Sequence, residues 1–148
     1  MTLHRWVGTR EQLLAEVLWV GAERALSRLR QQVRAEDRPG SHAAEMLGRW
    51  GAEVLEHPGV RQLQAEEGEM FARLVTSNRS DFQRRLIDSV RELLAEDVRR
   101  GTVTIDLDPA ELACATVRIV ASFIHTPAIT GETADSERNA RVLRAMLR

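Results

Sequence analysis

The chain has no lysine, no tyrosine and one cysteine, Cys114, among its 148 residues. A single thiol excludes an internal disulfide and suits a reducing compartment, so a cytoplasmic location is expected. The four histidines, His4, His42, His57 and His125, are far apart. None has a His or Cys partner at ligand spacing, so no metal site is expected. There is no G-x-S-x-G elbow and no glycine-rich phosphate loop. No catalytic residue and no cofactor are therefore expected, and the chain does not read as an enzyme. Cys114 lies in the most apolar stretch and reads as a small core residue rather than a nucleophile. Glu66-Glu67-x-Glu69 reads as a solvated acidic turn. No apolar run approaches a transmembrane span: the stretch from Thr116 to Ile124 is short and interrupted by Arg118 and Ser122. The N-terminus lacks the charged-then-apolar layout of a signal peptide. No membrane partner is expected. The 21 basic residues, all Arg, face 22 acids, for a net charge of −1. No global field draws the chain to nucleic acid or lipid.

What is present is helical periodicity. Hydrophobic residues make up 43% and charged residues 29% of the chain, which suits one domain with a sizeable core. Thr9 and Gln12 fit a capping box for a helix to about Ala35. Its apolar stripe is Leu14, Leu18, Ala22, Ala25, Leu29 and Val33, widened by Trp19 and Leu26. Asp37-Arg38-Pro39-Gly40 ends it. Ser41 can cap a second helix to about Glu56, with Met46, Leu47, Trp50 and Val54 on its buried side. Gly48 and Gly51 inside it suit either close helix packing or a backbone approaching a ligand. Pro58 opens a short helix to about Glu66, and Gly68 separates it from a second piece carrying Met70, Phe71, Leu74 and Val75. Asn78 or Ser80 caps a long helix to about Arg100, followed by Gly101 at the usual place beyond a helix end. Thr102 to Leu107 alternates weakly but has nothing to pair with, and reads as a connector. Asp108-Pro109-Ala110-Glu111 is a helix start, and that helix reaches about His125. Pro127 and Gly131 mark a loop, and a last amphipathic helix carries Ala140, Val142, Leu143, Met146 and Leu147.

The helix after Asp108 is apolar around most of its circumference, so it needs cover on all sides. It is either the central core helix or one that meets a second subunit. On the second reading the helices of about 78–100 and 109–125 form a four-helix bundle with their symmetry mates, through Val90, Leu94, Val117, Val120 and Ile124.

The opening residues Thr2-Leu3-His4-Arg5-Trp6-Val7, then Gly8-Thr9, then Arg10-Glu11-Gln12-Leu13-Leu14, resemble the TetR family of transcriptional regulators. There a recognition helix ends in a T-L-Y-R-H-F-like pattern before a tight turn and a long helix. Trp6 and Val7 stand where the family usually has His and Phe. The stretch LLAEDVRRGTVTIDLDPAELACATVRIV is similar to the family's run of helix, Gly, extended turn, D-P-x-E-L-A and apolar helix. The nearest subgroup resembles regulators of quorum-signal degradation. The resemblance implies an all-α fold of about six to seven helices with a dimerising four-helix bundle. It implies that residues 1–9 are a remnant of a helix-turn-helix domain and 10–148 an effector-binding and dimerisation domain. Thr2, His4, Arg5, Trp6 and Arg10 would belong to the DNA-contacting surface, with His4 and Arg10 at phosphate-contacting positions. The effector, a small lipophilic molecule, would lie among Trp19, Met46, Trp50, Phe71, Phe82 and Leu86. The partners implied are a second copy of the chain, the effector and, for a longer parent chain only, operator DNA. The alternative is an all-α protein-interaction module without a small-molecule site.

Overall fold

A computed structural model describes residues 10–77 and 80–148, side chains 128 and 129 excepted. The expected contributions of Thr2, His4, Arg5 and Trp6, and the Thr9 cap, lie outside these residues. Among the described residues there are seven helices and no strand. None is long and apolar enough to cross a membrane.

Local chemistry explains most of the boundaries. Helix α1, Arg10–Glu36, ends in a turn where Asp37 (φ 42) and Gly40 (φ 103) take left-handed backbone angles. Helix α2, His42–Glu56, is capped by Ser41, whose hydroxyl accepts the Ala44 N–H at 3.0 Å. Helix α3, Pro58–Thr76, starts on its proline. The two pieces expected here are present, running on from one another across a break at Glu67, whose backbone is non-helical (φ −140, ψ 45). Gly68, a poor helix former, stands directly after this break, and Met70, Phe71, Leu74 and Val75 are buried beyond it.

Helix α4, Phe82–Arg100, has Asp81 at its N-cap position. Asn78 lies outside the described residues. The Ser80 hydroxyl donates to the Leu74 carbonyl, joining the end of α3 to the approach to α4. Gly101 ends α4 with φ 71. The connector after it forms no strand. The Thr104 N–H donates to the Arg148 carbonyl at 3.0 Å. Helix α5, Pro109–Ile124, is capped by Asp108, which accepts from the Ala110 N–H at 2.7 Å. The loop expected around Pro127 contains a short helix, α6, Thr126–Thr130, stopped by Gly131. Helix α7, Ser136–Met146, is capped by Asp135.

The packing corrects the expected subunit interface. Val90, Leu94 and Val117 are 0% exposed, Val120 is 1% and Ile124 is 6%. A side chain with no surface left in one chain has almost none to bury against another. These five residues belong to the chain's own core, because α4 and α5 pack on each other and on α2. Helix α5 is therefore covered on one face, by the burial of Leu112, Ala113, Thr116, Val117, Val120 and Ile124. Its other face keeps Ala115 and Ser122 exposed and Ile119 and Phe123 half-buried.

Two features hold α2 in place. Asp97 of α4, fully buried, accepts from the Ser41 hydroxyl (2.7 Å), the His42 N–H (3.1 Å) and the Ala43 N–H (2.9 Å). An acid from a distant helix thus satisfies the first-turn amides of α2. On the other side α2 lies against α7. A Cβ added at Gly48 would come 3.0 Å from the Ala140 Cβ, and one added at Gly51 would come 2.7 Å from the Asn139 Nδ2. Of the two readings left open for these glycines, the structure selects close helix packing.

Candidate binding cavity

On α1 the fully buried row is Ala15, Trp19, Ala22, Leu26, Leu29 and Val33. A second apolar row, Leu14, Leu18 and Ala25, stands beside it. This row borders a hollow of about 880 Å³ between α1, α2 and α3, floored by α4 and α5. Its volume lies within the ordinary range for small-molecule sites. Trp50 and Val54 of α2, Leu63 and Phe71 of α3, Phe82 and Leu86 of α4, and Val117 and Ile124 of α5 form apolar walls.

Of the six side chains expected around a pocket, Trp50, Phe71, Phe82 and Leu86 meet at this cavity, and Trp19 and Met46 do not. Trp19 turns away to pack edge-on against Phe82, with ring centroids 5.7 Å apart, and carries the Arg85 guanidinium 5.6 Å above its ring. Met46 lies one turn before Trp50 and is 1% exposed, wholly within the core. Two residues expected at a subunit interface, Val117 and Ile124, line the cavity instead. The excess apolar width of α1 was the signal for the cavity. A helix needs one stripe for a core, and this one has a second, continuing outward to Val17 (61% exposed) and Val20 (42%) at the cavity rim.

Charge is confined to the rim and largely paired. Arg10, at the first turn of α1, donates to both carboxylate oxygens of Glu67, at 3.0 and 2.5 Å. That hydrogen bond holds the Glu67 carboxyl below its usual range. The guanidinium expected at a DNA phosphate is thus engaged at the kink of α3. Arg85 pairs with Glu16 at 3.0 Å and Arg28 with Glu53 at 2.6 Å. Exposed pairs of this kind add little to stability.

The interior holds one titratable group, His125, half-buried and tilted against Phe71 with ring centroids 5.6 Å apart. Burial pushes its pKa below the ordinary value, so the imidazole is neutral at pH 7. Sequence reasoning missed His125 because it stands at the end of α5, where only the fold brings it beside α3. No group of three metal-ligating side chains occurs among the described residues.

Comparison with known proteins accords with this architecture. Residues 40–148 match the family described as "Tetracyclin repressor-like, C-terminal domain". The fold is similar to that of a solved structure titled "Structure of the R. erythropolis transcriptional repressor QsdR from TetR family". The TM-score is 0.84 at 27% identity, over 98% of this chain and 76% of that one. No curated protein matches the chain.

Proposed function

We propose a mechanism for a chain that belongs to the tetracyclin repressor-like C-terminal domain family: effector occupancy of the cavity is passed to the start of α1. The chain is a ligand-responsive transcriptional regulator of the TetR type, a non-enzymatic class. On this reading residues 10–148 form its effector-binding and dimerisation domain. The observation that carries this reading is the apolar cavity whose rim is tied to α1 by Arg10–Glu67, Arg73–Glu11 and Arg85–Glu16. A ligand that fits one arrangement of α1 and α3 better shifts the population towards it. The first turn of α1 moves with the α3 kink because Arg10 and Glu67 bridge the two. Removal of this coupling in Glu67→Gln should leave effector affinity close to that of the parent protein and weaken its effect on the N-terminal segment.

The homodimer remains part of the reading, with a revised interface. On α4, Ile87, Ala95 and Val98 share an outward face. On α5, Ala115, Ile119 and Phe123 do the same, and none of the six is fully buried. This spacing suits a four-helix contact with a second copy. Ile119→Arg should yield a folded monomer in analytical ultracentrifugation. Substituting Val117 or Val120 would instead test the fold.

The effector reading is tested by thermal unfolding against a set of apolar small molecules. A ligand at a hundredfold excess over its Kd should stabilise the chain by about 2.7 kcal/mol. Failure of every apolar compound to raise Tm would favour the alternative, an interaction module without a small-molecule site.

A further inference from the structure

Two polar groups of the cavity wall, on Trp50 and His125, have no hydrogen-bond partner among the described residues. Trp50 is 4% exposed and forms part of the wall. Its indole N–H has no hydrogen-bond partner among the described residues. The fully enclosed side-chain N and O atoms without partners among those residues are His42 Nε2 and Asn139 Oδ1. The Trp50 nitrogen is not one of them, and Trp50 borders the cavity. The second group is the His125 imidazole, which touches Phe71 by ring contact and likewise accepts and donates no hydrogen bond among the described residues. The other amides of the wall are occupied: the Gln83 Nε2 donates to the Val75 carbonyl at 2.6 Å and the Gln62 Nε2 to Glu66 at 3.0 Å.

An indole nitrogen donates and cannot accept. Its complement is an acceptor oxygen, and a head group with donors alone leaves it unpaired. A charged head group would also have to shed its water among Phe71, Phe82, Leu86 and Ile124 with no opposite charge to meet it. At the rim Arg10, Glu16, Glu53 and Glu67 stand in pairs of their own, and Arg24 and Glu66 are exposed to solvent.

We infer that the molecule recognised by this cavity is uncharged and mainly apolar, and carries a carbonyl-type oxygen that accepts from the Trp50 indole N–H, with His125 as the further polar contact. This rests on reading the cavity as an effector site, and it makes Trp50 the residue that sets specificity rather than one that merely fills space.

The test compares four probes that share a ten-carbon main chain on the 148-residue protein by isothermal titration at pH 7.5: 2-decanone, its carbonyl-free isostere 2-methyl-1-decene, decanoate and decylamine. The ketone should bind about three- to tenfold more tightly than the alkene, the worth of one neutral hydrogen bond, and both ionic probes should bind more weakly than the ketone. Trp50→Phe, which keeps an aromatic ring and removes the N–H, should bring the ketone-to-alkene ratio close to one. The Trp50 indole proton resonance, assigned by its loss in Trp50→Phe, should move downfield with the ketone and not with the alkene. If that variant does not fold, the probe ranking and the indole resonances of the unmodified protein still decide the matter. Equal binding of ketone and alkene, tighter binding of decanoate, or an unchanged ratio in Trp50→Phe would each overturn the inference while leaving an effector site in place. Absence of binding by all four probes would remove the effector reading and this inference with it.

Discussion

Helix α2 meets opposite kinds of packing on its two sides. Against α7 its backbone is pressed so closely that even a methyl group at Gly48 would meet the Cβ of Ala140 at 3.0 Å. Against α1 and α3 its Trp50 faces a hollow of about 880 Å³. The close side is also the pinned side, because Asp97 fastens the N-terminus of α2 to α4. The hollow side is bridged across its rim by exposed ion pairs. The cavity sacrifices the contacts that filled space would give, and the dense half supplies the stability that lets it stay open. Movement on ligand binding should therefore fall on α1 and α3, with α2, α4 and α7 as the fixed frame.

The sharpest way to break this contrast is to remove Asp97. Asp97→Ala would leave the Arg100 guanidinium, 3.3 Å from the carboxylate in the intact chain, without its buried partner, along with two α2 amides and the Ser41 hydroxyl. A loss of about 3–5 kcal/mol in urea unfolding is expected. A loss below about 1 kcal/mol would mean that Asp97 does not anchor the frame.

A pair of leucines on one helix compares the two sides directly. Leu94 is 0% exposed in the packed core, whereas Leu86 borders the cavity. Leu94→Ala should cost about 3–5 kcal/mol and Leu86→Ala nearer 2, since the second leucine already lacks neighbours on one side. Equal losses would argue that the hollow is filled by rearrangement in solution.

Two glycines repeat the comparison at smaller scale. Gly48→Ala should destabilise by about 1–2 kcal/mol through its clash with α7. Gly21→Ala, on α1 with nothing within 4 Å of the added methyl, should stabilise by about 0.5–1 kcal/mol through helix propensity. Thermal unfolding of the two variants should shift in opposite directions.

The smallest effect concerns pH. Burial lowers the pKa of His125, so the unfolded chain binds the proton more readily than the folded one. Stability is then level above the unfolded value, about 6.5, and declines as pH falls from there through the lower folded value. The carboxylates of Glu36, Glu67, Asp81 and Glu96 have lowered pKa values. Their contribution is present above their unfolded range near 4 and is lost only in more acidic solution. In His125→Phe the decline just below pH 6.5 should be shallower than in the parent chain, as read from urea midpoints.

The sequence by itself determined the helices and most of their ends, because caps and stops are local. Ser41, Asp108-Pro109 and Gly101 act through hydrogen bonds and backbone angles within a few residues, and each stands where its chemistry requires. The break at Glu67 was legible through the neighbouring Gly68, whereas helix α6 was not, since Pro127 and Gly131 read equally well as a loop. Periodicity also identified apolar faces, and four of the six side chains expected around a pocket line the cavity. What an apolar face meets is a different matter. Val117 could equally serve a core, a partner or a cavity, and only the relative placement of α1, α3 and α5 turned it towards the hollow. The same holds for Arg10, whose partner Glu67 is 57 residues away, and for Asp97, which on its own helix is one acid among several. Such pairings depend on the distance between helices, which one-dimensional spacing does not encode. Tertiary structure alone decided which of this chain's apolar surfaces are filled and which one is left open.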